Sequence, residues 1–123
     1  MPSHETILIV DDEPVVRALL RAALEPSGSR IIEAEDGEGA LECAWQDRPE
    51  LIVLDVGLPL LSGVDVCRAV KTHLPPPRVM LITGNRFTYG VEDCGADAIV
   101  EKPFDTATLL EVAQRLLAAP AAA

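Results

Sequence analysis

Leu51-Ile52-Val53-Leu54-Asp55 decides how this chain is read: four branched apolar residues in an unbroken run, closed by a carboxylate. A strand with one wet face alternates apolar and polar residues, whereas an unbroken run marks a strand covered on both faces. Three more such runs occur, Ile7-Leu8-Ile9-Val10, Val79-Met80-Leu81-Ile82 and Ala98-Ile99-Val100, with a weaker fifth at Ile31-Ile32. The segments between them carry helical period. Val16, Leu19, Leu20, Ala23 and Leu24 form one apolar stripe, and Ala40, Leu41, Ala44 and Trp45 a second. A third helix is predicted from Ser62 or Gly63 to about His73, stopped by Pro75-Pro76-Pro77. The last helix places Leu109, Val112, Ala113 and Leu116 on one face, with Asp105 as its N-cap. Strand–helix alternation repeated five times predicts an α/β domain, a parallel sheet with helices on both faces.

A chain of 123 residues, 49% hydrophobic and 24% charged, fits one globular domain with its own core. No apolar run approaches the roughly 20 residues that cross a bilayer. The segment Met1, Ser3, His4, Glu5 lacks the basic start and apolar stretch of a secretion leader, so the expected setting is cytoplasmic, without membrane. Cys43, Cys67 and Cys94 are spaced as reduced, packed thiols. His4 and His73 offer no metal-ligand spacing. The formal charge of −10 argues against direct binding to nucleic acid, whose phosphates would be repelled. Residues 1–118 read as the domain, and 119–123 as an Ala/Pro tail or the start of a linker.

In a sheet of this kind, functional groups gather where strands end at their carboxyl edge. Asp11, Asp12 and Glu13 follow the first run, Asp55 the third, Thr83 and Gly84 the fourth, and Glu101, Lys102 and Pro103 the fifth. Clustered carboxylates repel unless a cation neutralises them or their pKa values rise. A hard divalent ion such as magnesium accepts a few carboxylates together with waters and phosphate oxygens. A carboxylate can also attack phosphorus, giving an aspartyl phosphate. Lys102 would pair with a phosphate oxygen, and the Thr83 hydroxyl would donate to another. Lysine occurs twice in this chain, at Lys71 and Lys102, against eight arginines, which singles out Lys102 as a retained point charge.

The ordered motifs are Ile-Leu-Ile-Val-Asp11-Asp12-Glu-Pro, Asp36-Gly37 before Ala40-Leu41, Leu-Ile-Val-Leu-Asp55-Val-Gly57-Leu58-Pro59 with Gly63, Leu-Ile-Thr83-Gly84, Gly95-Ala96-Asp97 and Glu-Lys102-Pro103-Phe104. With them the chain resembles a response-regulator receiver domain of bacterial-type two-component signalling, of the chemotaxis-regulator kind, over nearly its whole length. The resemblance implies a flavodoxin-like doubly wound fold with strand order 2-1-3-4-5. It implies that Asp55 accepts a phosphoryl group from a histidine kinase or histidine phosphotransfer protein in a phosphorelay. Asp12, Asp55 and the Gly57 carbonyl would hold Mg2+ or Mn2+, with Asp11 assisting through water. Thr83 would be the switch hydroxyl, Lys102 the phosphate-pairing ammonium, and Lys102-Pro103 a cis bond. The domain would serve a downstream protein target or a fused output domain, and would not be a turnover enzyme. Starting at Met1, it reads as a stand-alone or leading receiver rather than the tail of a hybrid kinase.

Two departures accompany the resemblance. The position three before the lysine, usually an aromatic that swings inward, is Ile99. The interval from Thr83 to Lys102 is 19 positions (102 − 83), about one helical turn short of the family's usual length. With Thr88, Tyr89 and Gly90 in mid-segment, the fold's fourth helix is predicted to be short, irregular or absent, making the output face atypical. One or both of Phe87 and Tyr89 are expected to fill the gap this leaves, the alternative being partly exposed rings that anchor a partner or a self-association. Two alternatives stand beside phosphoacceptance: a receiver-shaped interaction module independent of phosphate, and a magnesium-dependent aspartate-nucleophile phosphatase. The phosphatase would need Asp-x-Asp after the first strand, where this chain has adjacent Asp11-Asp12.

Overall fold

The structure, a computed structural model, describes residues 5–118; His4 and the tail at 119–123 lie outside them. Five parallel strands, β1 (Thr6–Val10), β2 (Arg30–Ala34), β3 (Leu51–Asp55), β4 (Arg78–Thr83) and β5 (Ala98–Glu101), form one sheet in the order β2-β1-β3-β4-β5. Four helices, α1 (Pro14–Leu24), α2 (Gly37–Asp47), α3 (Gly63–Val70) and α4 (Thr106–Ala118), cover its two faces. The strand order is that of the flavodoxin-like, doubly wound α/β fold. Every residue of β1 and β3 is buried, which is why their runs do not alternate.

The two-residue period of the strands sorts each run into two cores. Leu8, Val10, Ile52, Leu54, Val79 and Leu81 face α2 and α3, meeting Ala40, Ala44, Val66, Cys67 and Val70. Ile7, Ile9, Leu51, Val53, Met80 and Ile82 face α1 and α4, meeting Leu20, Leu24, Leu109 and Ala113. Cys43, Cys67 and Cys94 are free thiols. No helix among the described residues is long and apolar enough to cross a membrane.

Capping follows the local chemistry. Asp36 accepts from Gly39 N–H at the start of α2, and Ser62 and Asp65 form a reciprocal capping box on α3. Before α4, the Asp105 carboxylate accepts from Ala107 N–H at 2.8 Å.

Several side chains sit differently from the sequence reading. α3 ends at Val70, three residues short of His73. There the Thr72 hydroxyl donates to the Ala69 carbonyl at 2.6 Å, and Thr72 N–H and His73 N–H form short i→i−3 bonds that tighten the last turn. Leu19 is 47% exposed because α1 meets the sheet through Leu20 and Leu24. Trp45 is 62% exposed. It lies at the far end of α2, with its ring 5.6 Å from that of His73 and the Arg48 guanidinium 4.5 Å from its centroid. Between β4 and β5 the described chain forms turns and no helix. Phe87 and Tyr89 do not fill that space; they are 84% and 91% exposed, and Val91 and Cys94 are buried there instead.

Candidate functional site

Parallel register builds the site. Val10 of β1 pairs with Leu54 of β3, so Asp11 and Asp55 emerge side by side at the carboxyl edge. Asp55 pairs with Ile82 of β4, and Thr83 with Glu101 of β5, which brings Thr83 and Lys102 to the same rim. The Lys102 N–H donates to the Thr83 carbonyl at 2.8 Å, fixing the start of the loop that carries the ammonium.

Oxygens of Asp11, Asp12 and Asp55 lie within 4.8 Å of one another. Asp11 is 2% and Asp55 7% exposed, whereas Asp12 faces solvent. The Lys102 ammonium stands 3.1 Å from Asp55 Oδ1. Gly57 lies in the turn after Asp55, where a Cβ would fall 3.6 Å from Asp55 Oδ2, so its backbone adjoins the carboxylate. Gly63 lets α3 start against the end of β3: a Cβ there would come within 2.3 Å of the Asp55 carbonyl oxygen. Leu60, in the same connection, is fully exposed at a left-handed φ of 66°.

The electrostatics match this crowding. Burial raises the pKa of the Asp11 carboxyl, and the charges of Asp55 and Asp12 add to the rise, while Glu13 N–H at 2.9 Å and Lys102 oppose it. Burial works against the Lys102 ammonium, but its hydrogen bond to Asp55 and the charges of Asp55, Asp11 and Glu13 prevail and hold its pKa up. Three carboxylates against one ammonium leave a site that favours further positive charge. An all-oxygen donor set with two buried members fits a small hard divalent cation.

The Thr83 hydroxyl, 3% exposed as a residue, points along its own loop. It donates to the Asn85 carbonyl at 3.0 Å and accepts from Asn85 N–H at 3.1 Å. Asn85 Oδ1 then accepts from Phe87 N–H at 2.9 Å, so two consecutive side-chain turns join Thr83 to the exposed aromatics. Ile99 is half-buried in β5 opposite Leu81 and packs on the α2–α3 core. The Lys102-Pro103 bond is cis, as is Leu74-Pro75, which the sequence reading did not single out. Arg17 was also missed: its Nη1 donates to the Asp11 carbonyl at 2.7 Å. The only sequence signal for it was a cation one turn into the helix that follows the acidic run.

The family model for the response regulator receiver domain matches residues 7–114. The transcriptional regulatory protein TcrX of Mycobacterium tuberculosis is 40% identical over 119 residues, covering 92% of this chain and 48% of the relative. The alkaline phosphatase synthesis transcriptional regulatory protein PhoP of Bacillus subtilis is 40% identical over 105 residues, covering 82% of this chain and 43% of the relative. The chain thus spans less than half the length of these curated relatives. Among solved structures, the receiver domain of sensor histidine kinase PA1611 from Pseudomonas aeruginosa PAO1, with a magnesium ion coordinated in its active site cleft, superposes with a TM-score of 0.83 at 28% identity. That match covers 95% of this chain and 100% of the other.

Proposed function

This chain belongs to the response regulator receiver domain family of two-component signalling, and from that membership and its rim geometry we propose that Asp55 is its phosphoacceptor. The observation that carries the reading is the buried Asp55 carboxylate, 3.1 Å from the Lys102 ammonium and clustered with Asp11 and Asp12. A carboxylate oxygen of Asp55 attacks the phosphorus of a phosphohistidine on a histidine kinase or phosphotransfer protein. The O–P bond forms as the P–N bond breaks, and the electron pair leaves on the imidazole nitrogen. Lys102 transfers its hydrogen bond from the free carboxylate to a phosphoryl oxygen, and the Thr83 hydroxyl donates to another. Asp12, Asp55 and the Gly57 carbonyl would hold Mg2+ or Mn2+, with Asp11 assisting through water. The bound ion would offset charge on the transferring oxygens. The protein acts as a stoichiometric acceptor, not as a turnover enzyme.

The phosphoryl group adds close to two negative charges and new acceptor oxygens. To reach them the Thr83 hydroxyl gives up Asn85, which loosens the Asn85–Phe87 turn. This route serves a chain whose rotor position is Ile99. The Phe87 and Tyr89 surface supports an interaction role at this segment, which a phosphate-independent module would share. The relatives' description as transcriptional regulatory proteins supports an output on gene expression exerted by a further part of the protein. The −10 charge of this chain argues against its own contact with nucleic acid.

Acetyl phosphate with Mg2+ is expected to add one phosphoryl group to the wild type, read by intact mass, and none to Asp55→Asn. An unchanged wild-type mass beside a labelled control receiver would favour the phosphate-independent module.

A further inference from the structure

We infer that Arg17 is a positioning residue for the metal-binding carboxylates, acting through the Asp11 main chain; this rests on the receiver reading above. Asp12 makes no hydrogen bond of its own among the described residues. Its carboxylate is therefore placed by the backbone on either side. On one side, Glu13 N–H is tied to Asp11 Oδ1 at 2.9 Å. On the other, the Asp11 carbonyl, which shares a peptide plane with Asp12 N, is held by Arg17 Nη1 at 2.7 Å. Asp11 N–H adds only a long bond of 3.3 Å to the Ala34 carbonyl.

Arg17 is itself held. Its Nε donates to Glu33 Oε1 of β2 at 3.0 Å, and Arg21 Nε takes Glu33 Oε2 at 2.7 Å. The Arg17 side chain is 15% exposed, so the guanidinium spans from β2 to the rim in one defined setting. Its ion-pair partner is Glu33 and none of the rim's own carboxylates. The flat fork of arginine serves both acceptors at once, which a lysine ammonium cannot do in the same geometry.

Charge and positioning predict opposite signs for its removal. By charge alone, deleting a cation beside three carboxylates makes the site more negative, so Arg17→Ala would bind Mg2+ more tightly. By positioning, it binds Mg2+ about tenfold more weakly, the lower end of what partners one shell outside a metal contribute.

The test is titration calorimetry of Mg2+ on the full chain at fixed ionic strength, with thermal unfolding in chelator as the check on fold. Arg17→Ala should weaken binding about tenfold, and Arg17→Lys, which can still donate to the Asp11 carbonyl but cannot hold Glu33 in the same geometry, should weaken it less. Glu33→Gln, which releases the clamp but leaves Arg17 in place, should weaken it by about twofold to threefold. In acetyl phosphate labelling, the Mg2+ concentration for half-maximal rate should rise while the rate at saturating Mg2+ stays near wild type. Arg17→Ala or Arg17→Lys binding Mg2+ as tightly as wild type, or more tightly, overturns the role of Arg17 and leaves the receiver reading standing. Absence of Mg2+ binding by the wild type overturns both.

Discussion

The connections that follow β3 and β4 leave neighbouring strands at the same rim, each just after a site residue, and they are built in opposite ways. After Asp55 the chain is pressed against its own strand. Gly63 N–H donates to the Val56 carbonyl at 3.0 Å, and α3 starts where even a methyl group would collide. After Thr83 the chain opens out. Gly84 has nothing within 4 Å of a would-be Cβ, two aromatics face water, and the chain returns to the core at Val91 and Cys94, with Ala96 partly buried against it. On the proposed reading, the first connection would hold Asp55 in place for in-line attack. The second is held by a few hydrogen bonds at a polar turn, so it can rearrange at low cost. On that reading, acceptance and response would be divided between adjacent loops.

Alanine at the two glycines gives the widest contrast. Gly63→Ala would set a Cβ 2.3 Å from the Asp55 carbonyl oxygen and 2.8 Å from Val56 Cα, and should cost about 3 kcal/mol in urea unfolding. Gly84→Ala should stay within about 0.5 kcal/mol, and equal losses at the two positions would break the contrast. Lys102→Ala should slow acetyl phosphate labelling roughly a hundredfold without abolishing it. It should also leave amide exchange across residues 84–91 unresponsive to a beryllofluoride mimic, and a response as large as wild type would detach that loop from the ammonium. Replacing Phe87 and Tyr89 together by serine should change stability by less than about 0.5 kcal/mol and leave labelling intact, since neither ring is buried.

The smallest effect concerns pH. A hydrogen bond from Arg21, with Arg17 adding to it, holds the Glu33 carboxyl below its ordinary 4.5 despite some burial. A lowered folded-state pKa contributes stability that is present above pH 4.5 and lost as pH falls through the folded value. Glu33→Gln should therefore cost a few tenths of a kcal/mol at pH 7, discounted for exposure, and less at pH 3.5. A gap that widens on acidification would contradict the assignment.

The sheet was legible in the sequence because doubly covered strands leave an unbroken apolar signature, and the rim because its charges sit one step past those runs. Asp11, Asp12, Asp55, Thr83 and Lys102 all meet there. Arg17 was not legible, because its partner Glu33 is 16 residues away and no local pattern pairs them. Apolar type also did not separate Leu20 from Leu19, nor Ala44 from Trp45: helical period names a stripe, while the packed neighbour decides which edge of it is covered. The left-handed backbone at Leu60 departs from what its residue type favours and gave no sign in the sequence.

Trp45, the single tryptophan, sits in the last turn of α2, at the end of the molecule from which the strands start. α2 begins just after β2 reaches the rim, so its whole length separates the indole from Asp55. Trp45 rests on Arg48 and His73, contacts that exist only when the chain is folded. Tryptophan fluorescence in this protein is therefore expected to follow folding of the α2 end, a helix length from Asp55. Tyr89, the single tyrosine, lies exposed on the loop beyond Thr83. The single tryptophan and the single tyrosine thus sit on different connections, the indole at the end of α2 and the phenol on the exposed loop beyond Thr83.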